Sequence, residues 1–261
     1  MSKRNGEKSM LSKPEIDKLL HWVASTPSLF NLNAPVCGNS PFSQNIPVSM
    51  NGYSGNQRLG FVYQYACRCL FQANSQYRLL EEEIQLQQDG RTLGAIDFIL
   101  ENHDTQTIEH WEVAIKFYLL HNTLWYGPNA KDRLDLKLDR MLSHQLKMSS
   151  SKAFKTQFPE WESISEHLLM QGRLYTNPFD DEAIPKSCLE YQIEQSRIKG
   201  YWCYDSQKHL ITDKLYVLDK KDWVTGRNKD SVLFSGEVNK FVHCQSESGQ
   251  YWFIVNNQWP N

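Results

Sequence analysis

Three strand-like segments stand in succession: Tyr77 to Leu86 (YRLLEEEIQL), Thr92 to Leu100 (TLGAIDFIL) and Ile108 to Leu120 (IEHWEVAIKFYLL). Each is rich in large apolar residues and bounded by turn formers. The breaks between them, Gln88-Asp89-Gly90 and Glu101-Asn102-His103-Asp104, are too short to carry a crossover. The segments are therefore predicted to pair as an antiparallel meander, and any fold proposed for the chain must contain it.

Helical signals flank the meander. Ser12-Lys13-Pro14-Glu15 has the form of a capping box with proline in the first turn, and Ile16, Leu19, Leu20 and Val23 follow at helical spacing, which predicts a helix over 13–24. Arg58 to Ala73 (RLGFVYQYACRCLFQA) is apolar without strict alternation and is long for a strand, which predicts a buried helix that carries no acid. Lys131 to Met148 sets Leu134, Leu138, Met141 and Leu142 on one stripe of a further helix. Glu162 to Leu169 reads as helix or turn leading into a strand over 169–176. The expected core is α/β (α+β), in the order helix, three-stranded meander, helix, strand.

Outside that core the texture changes. Ser25 to Gln57 is dominated by Pro, Gly, Asn and Ser, with isolated Leu29, Phe30, Val36 and Phe42, and reads as an irregular segment wrapped over the core. Beyond Ile184 come short aromatic strands, at 200–202, 215–218, 223–224, 232–234 and 251–255, forming a β-rich C-terminal extension. The expected division is a helix and wrapping loop at 1–57, a core at 58–180 and the aromatic region at 181–261.

Charge and cysteine usage exclude several function classes. With 28 basic against 30 acidic residues there is no global field to draw nucleic acid or anionic lipid, so binding of either requires a local patch. No apolar run approaches a membrane span, and the polar opening MSKRNGEKSM is unlike a secretion signal, so a cytoplasmic protein without membrane contact is expected. The six scattered cysteines read as reduced thiols. Cys67 and Cys69 point too far apart around a helix to share a metal. There is no phosphate-binding loop, dinucleotide fingerprint, zincin helix or nucleophile elbow.

The chemistry-bearing residues lie on the second and third strands. Asp97 sits in Leu93-Gly94-Ala95-Ile96-Asp97-Phe98-Ile99, where an unpaired carboxylate among apolar neighbours would be costly. Glu112 and Lys116 are the only charged side chains in His110 to Tyr118 (HWEVAIKFY). These stretches resemble the PD-(D/E)XK nuclease superfamily, with its G-x-x-D on the second strand and a carboxylate and lysine on the third. More narrowly, EVAIKFYLLH, WYGPNAKDRLDLKL and HQLKMS resemble an uncharacterised bacterial domain-of-unknown-function family placed in that superfamily. The resemblance spans roughly 58–176 and implies a restriction-endonuclease-like core, with no established activity for the family itself.

Two carboxylates on neighbouring strands suit Mg²⁺, which takes one or two protein oxygens and keeps water elsewhere. Such an ion polarises a phosphodiester and activates a bound water, and a lysine stabilises the developing charge. Asp97 is then the principal metal ligand, Glu112 the second, Lys116 the cationic partner, and the Val113 carbonyl an additional ligand. The spacing departs from the superfamily pattern: Glu112 and Lys116 are four residues apart, about 13 Å along a strand, with Ala114 where an acid would normally stand. Gln64 also stands where many relatives carry a glutamate.

Two readings follow. In one the protein is a Mg²⁺-dependent nuclease acting through Asp97, Glu112 and Lys116, which requires the two acids to approach and Lys116 to turn toward them. In the other it is a non-catalytic nuclease-like fold that serves as a nucleic-acid or protein interaction module, with Glu112 and Lys116 as a structural ion pair. Lys131 to Lys155 carries seven basic residues against three acidic ones, a local patch suited to phosphate contacts or a solvated helix face. His144 and Gln145 are placed to face the site or to end the helix. Glu81 and Glu83 share a face that either flanks the site or is solvated. His103, His110 and His121 fit no zinc spacing and read as surface or turn residues.

Overall fold

The structure is a computed structural model describing residues 11–42, 52–88 and 90–261. Residues 1–10, 43–51 and Asp89 of the first expected turn lie outside the described residues. Helix α1 spans Lys13–Ser25 and buries Ile16, Leu19, Leu20 and Val23. The Ser12 backbone N–H and hydroxyl both donate to Glu15 Oε2, at 2.8 and 2.7 Å, which fixes where the helix starts. Helix α2 spans Leu59–Ala73 and buries one broad face, Val62, Tyr63, Ala66, Cys67, Leu70 and Phe71 among its residues.

The meander is present as β1 (Tyr77–Gln88), β2 (Arg91–Asn102) and β3 (Thr107–His121), antiparallel throughout. A short strand β4 (Leu124–Tyr126) folds back on β3. Helix α3 (Leu134–Arg140) then continues without a break through a π turn at Met141–Gln145 and a 3₁₀ turn at Leu146–Ser150. The helix expected over 131–148 is thus one rod with three hydrogen-bonding patterns. Helix α4 is Lys152–Gln157, and β5 is Ile164–Thr176.

The helix-or-turn reading of 162–169 is corrected by β5. Ile164 to Leu168 already pair with Ile108 to Glu112, in parallel register with β3. Local propensity is overridden here by a long partner strand that offers hydrogen bonds to alternate residues along its length. Gly172 lets the two backbones approach, because a Cβ at this position would lie 1.7 Å from the Lys116 carbonyl oxygen.

Two small strands, β6 (Ser187–Cys188) and β7 (Tyr191–Gln192), form a separate pair. The remaining strands are β8 (Ile198–Tyr204), β9 (Leu215–Val217), β10 (Phe241–Ser246) and β11 (Tyr251–Val255). They extend the main sheet, whose order is β1-β2-β3-β5-β8-β11-β10-β9 with β4 beside β3. The β-rich C-terminal region therefore shares its sheet with the core. Strand β10 was not expected. Trp223 and Val224 follow a 3₁₀ turn instead of forming a strand, and the 232–234 segment makes only an isolated bridge between Leu233 and Tyr216.

Strand β3 is buried on both faces, which makes it the centre of three layers. Trp111, Val113, Ile115, Phe117 and Leu119 join the cluster under α1 and α2, to which Trp202, Phe253 and Val255 of the C-terminal strands also belong. Ala114, Tyr118 and Leu120 face α3 with Leu134, Leu138 and Met141. The wrapping segment adds Leu29, Phe30 and Val36 to this second cluster. It also covers the edge of β5, where Leu29 N–H donates to the Met170 carbonyl (2.7 Å) and Cys37 N–H to the Leu168 carbonyl (2.9 Å). All six cysteines are free thiols. No described helix is long and apolar enough to cross a membrane.

Candidate active site

The ladder between β2 and β3 runs from Asn102 opposite Thr107 to Phe98 opposite Trp111 and then stops. The next residues on the two strands are Asp97 and Glu112. Beyond them the strands part, and side chains take over the backbone groups the ladder leaves. Val113 N–H donates to Asp97 Oδ2 at 2.9 Å, and Asp97 N–H donates to Glu112 Oε1 at 3.4 Å. Each acid is thus held by the opposite strand, and the geometry brings the two expected carboxylates together.

Glu112 is fully buried, and both of its oxygens are occupied. His110 Nε2 lies 3.1 Å from Oε1, and Gln145 Nε2 donates to Oε2 at 2.8 Å. The Gln145 carbonyl in turn accepts from Lys137 Nζ at 2.9 Å. The π turn supplies Gln145: Leu146 N–H reaches back five residues to the Met141 carbonyl, and the widened turn re-aims the side chains at the end of α3. His144 Nε2, 3.2 Å from the Leu93 carbonyl, ties the same turn to β2.

His110 corrects the surface reading given above. Its side chain is fully buried between Glu112 and Ser149, whose hydroxyl is 3.0 Å from Nδ1. It lies on the same face of β3 as Glu112, and burial lowers its pKa to about 4, so it is neutral at pH 7.

Electrostatics separate this pair from ordinary surface acids. Burial, and then the neighbouring Glu112, push Asp97 up to about 8. Burial pushes Glu112 up to about 7, against opposing hydrogen bonds and the Lys137 charge. Lys137 is itself lowered, first by burial and then by Lys116. Two close carboxylates with raised pKa values hold fewer than two negative charges near neutrality, and a divalent cation reverses that balance.

Asp97 opens into a cleft of about 520 Å³ whose walls include Gln64, Glu83, Lys137, Arg140 and His144. Gln64 lies on α2, and Glu83 on β1 just beyond a register shift that follows Leu79. Glu82 points elsewhere and pairs with Arg68 at 3.0 Å. The basic helix noted in the sequence therefore delivers Lys137 and Arg140 to the mouth of the acidic pair.

Lys116 lies on the same face of β3 as Glu112 but meets neither expectation: it does not turn toward the acidic pair, and it forms no ion pair with Glu112. Its Nζ is 2.6 Å from Asp132 Oδ2, an oxygen that also accepts from the Tyr118 hydroxyl at 3.2 Å. It borders a different cavity, beside Arg58, Lys220, Trp223 and Phe241. The residue missed at the sequence level is Lys137. Its only signal was membership of the basic stretch, because no spacing rule connects a helix residue to a strand twenty-five positions earlier.

Among the described residues no group of three or more His, Cys, Asp or Glu side chains is arranged to hold a metal ion. The donor set is two carboxylates, with Asp97 Oδ1 making no hydrogen bond to any described residue. Carboxylate oxygens suit a hard cation that retains most of its water better than they suit zinc.

A family model described as a domain of unknown function (DUF1853) matches residues 18–252. No curated protein and no solved structure matches the chain.

Proposed function

The chain belongs to the DUF1853 family, and we propose that its own site at Asp97 and Glu112 is that of a Mg²⁺-dependent nuclease with a restriction-endonuclease-like core. One observation carries this reading: where β2 and β3 part, Asp97 opens into a cleft with a lysine and an arginine on its wall, and the buried Glu112 lies behind it, its Oε1 3.4 Å from the Asp97 N–H, both acids with raised pKa values. The element order α2, β1-β2-β3, α3, β5, with β5 parallel to β3, agrees with that core.

Asp97 would hold the ion through its unengaged Oδ1, and Glu112 would join it only by giving up one of the contacts that now engage its oxygens. When bound, the ion supplies Lewis acidity at the phosphodiester and an activated water. The chain's own residues do the rest. Gln145 and His110 hold the Glu112 carboxylate in one orientation, and Lys137, positioned through Gln145, would offset the negative charge that develops on the phosphoryl oxygens. Arg140 and His144 extend the basic wall for the adjoining phosphates. The cationic role considered for Lys116 passes in this reading to Lys137, since Lys116 is committed to Asp132.

The second reading, a non-catalytic interaction module, draws on a specific feature: each acid already satisfies an amide of the opposite strand and so has a structural use without any metal. Titration of Mg²⁺ and Mn²⁺ against single- and double-stranded DNA and RNA, with wild type beside Asp97→Asn, separates the two. Cleavage that needs the metal and is lost in the variant supports the nuclease. No cleavage with either metal, or cleavage that survives Asp97→Asn, removes the site from the account.

A further inference from the structure

The opposite face of the sheet buries two arginines without an acid. Arg173 on β5 is 4% exposed, and Arg197, in the 3₁₀ turn before β8, is 6% exposed. Arg197 donates through Nε and Nη2 to the Gly172 carbonyl, at 3.1 and 2.6 Å. Arg173 donates to the Tyr175 hydroxyl (3.2 Å) and to the carbonyls of Trp223 (3.2 Å) and Val224 (3.4 Å). Every one of these acceptors is neutral. Among the described residues neither guanidinium forms an ion pair. The acid acting on Arg197 from farther off, Glu194, accepts from Ser196 N–H at 2.9 Å.

Neighbouring groups do not supply the missing charge. Burial holds the Tyr175 phenol neutral, up to about 12, and keeps His243 neutral well below its ordinary range, with Arg173 adding to the effect. The cluster therefore carries two positive charges close enough to oppose each other, and Arg197 is drawn down to about 10 by burial and by Arg173. A guanidinium cannot escape by losing its proton at physiological pH, so two of them buried together call for a counter-anion.

Both arginines line one cavity of about 660 Å³, together with Lys199, Trp22, Tyr201 and Tyr251. The Arg173 guanidinium lies 3.4 Å from the Tyr251 ring centroid and that of Arg197 lies 5.8 Å from the Trp22 centroid, so aromatic faces hold both forks. Arg197 Nη1 makes no hydrogen bond to a described residue and remains available to a ligand. The volume suits a molecule of drug or nucleotide size. Tyr201, 39% exposed at the rim, offers a face on which a ring can stack. No residue lining this cavity lines the Asp97 cleft.

We propose that this cavity binds a phosphorylated small molecule of nucleotide size, with the phosphoryl group on Arg173, Arg197 and Lys199 and a planar ring against the aromatic rim. Planar guanidinium forks match phosphate oxygens in pairs, which makes arginine the better choice for such a group.

Isothermal titration of the full chain with inorganic phosphate, adenosine, adenosine monophosphate and a 5′-phosphorylated short oligonucleotide tests this. The monophosphate should bind more tightly than phosphate or adenosine. Arg197→Met should weaken it about tenfold or more, and Lys199→Glu, an exposed rim change, about threefold or more. Asp97→Asn should leave the affinity unchanged. Preference for the mononucleotide identifies a free small molecule, and preference for the oligonucleotide identifies a strand end as the source of the same phosphoryl group. Absence of binding by every phosphate-bearing probe at millimolar concentration, or affinity unaltered in both variants, overturns the proposal. If circular dichroism shows Arg197→Met unfolded, Lys199→Glu alone decides.

Discussion

The two faces of one sheet bury opposite charges and deal with them differently. Where β2 and β3 part, Asp97 and Glu112 sit together, Glu112 on the α3 side, and each is pushed toward its neutral form, Asp97 up to about 8 and Glu112 up to about 7. On the α1 side, Arg173 and Arg197 sit together without that recourse, because a guanidinium holds its proton throughout the physiological range. The acids can exist with or without a cation, by exchanging it for protons. The arginines keep their charge and rely on carbonyls, aromatic faces and a counter-ion. An acidic pair can thus be a resident structural feature as well as a metal site, whereas an unpaired basic pair points outward to a ligand.

Substitutions at the acidic pair should produce the largest effects. Asp97→Asn is expected to lower metal-dependent cleavage about a hundredfold or more, measured as initial rates on labelled DNA and RNA. Lys137→Met should cost about tenfold or more in the same assay while Lys116→Met costs little. The reverse order would return the cationic role to Lys116.

Stability measurements come next. Glu112→Leu leaves the Asp97 N–H, His110 and Gln145 without their buried acceptor, and is expected to cost about 3 kcal/mol in denaturant unfolding. Glu112→Gln, which keeps one acceptor oxygen, should cost less, about 1 kcal/mol.

The pH dependence sharpens the same contrast. The folded pKa values of Asp97 and Glu112 stand above their ordinary values of 3.8 and 4.5. Between those limits the folded protein binds more protons than the unfolded chain. Their contribution to stability is therefore complete below about pH 4 and is lost as pH rises through 7 to 8. Thermal melts from pH 5 to 8.5 should show that decline, and Asp97→Asn should flatten it. Saturating Mg²⁺ should oppose it too, since the ion favours the ionised acids.

The smallest effect belongs to Lys116→Met, about 1 kcal/mol or less of stability. The Lys116 to Asp132 pair is partly open to solvent, with 25% and 37% of the side chains exposed.

Much of the fold was legible because it rests on local pattern. The Ser12 to Glu15 box, the acid-free run of α2 and the meander with its short turns each carry their own signal within a dozen or so residues. Other elements lacked one. Ile164 to Leu168 became strand because β3 lay alongside with unpaired groups. Strand β10 (Phe241–Ser246), interrupted by His243 and Cys244, became strand because β11 and β9 flank it. The site was legible in the same uneven way. Asp97 and Glu112 stood out as charges in apolar strands, whereas His110 looked like a turn residue and Lys137 like one basic side chain among several.

The sequence by itself determined that a meander would place Asp97 and Glu112 on adjacent strands, because alternation and turn length are properties of contiguous residues. Only the tertiary structure decided which cation would stand beside them. It sent Lys116 to Asp132, brought Lys137 in through Gln145, and set Arg173 and Arg197 together on the other face. The reason is physical: register and turn geometry act along the chain, while ion pairing and burial depend on distances between segments that local sequence does not encode.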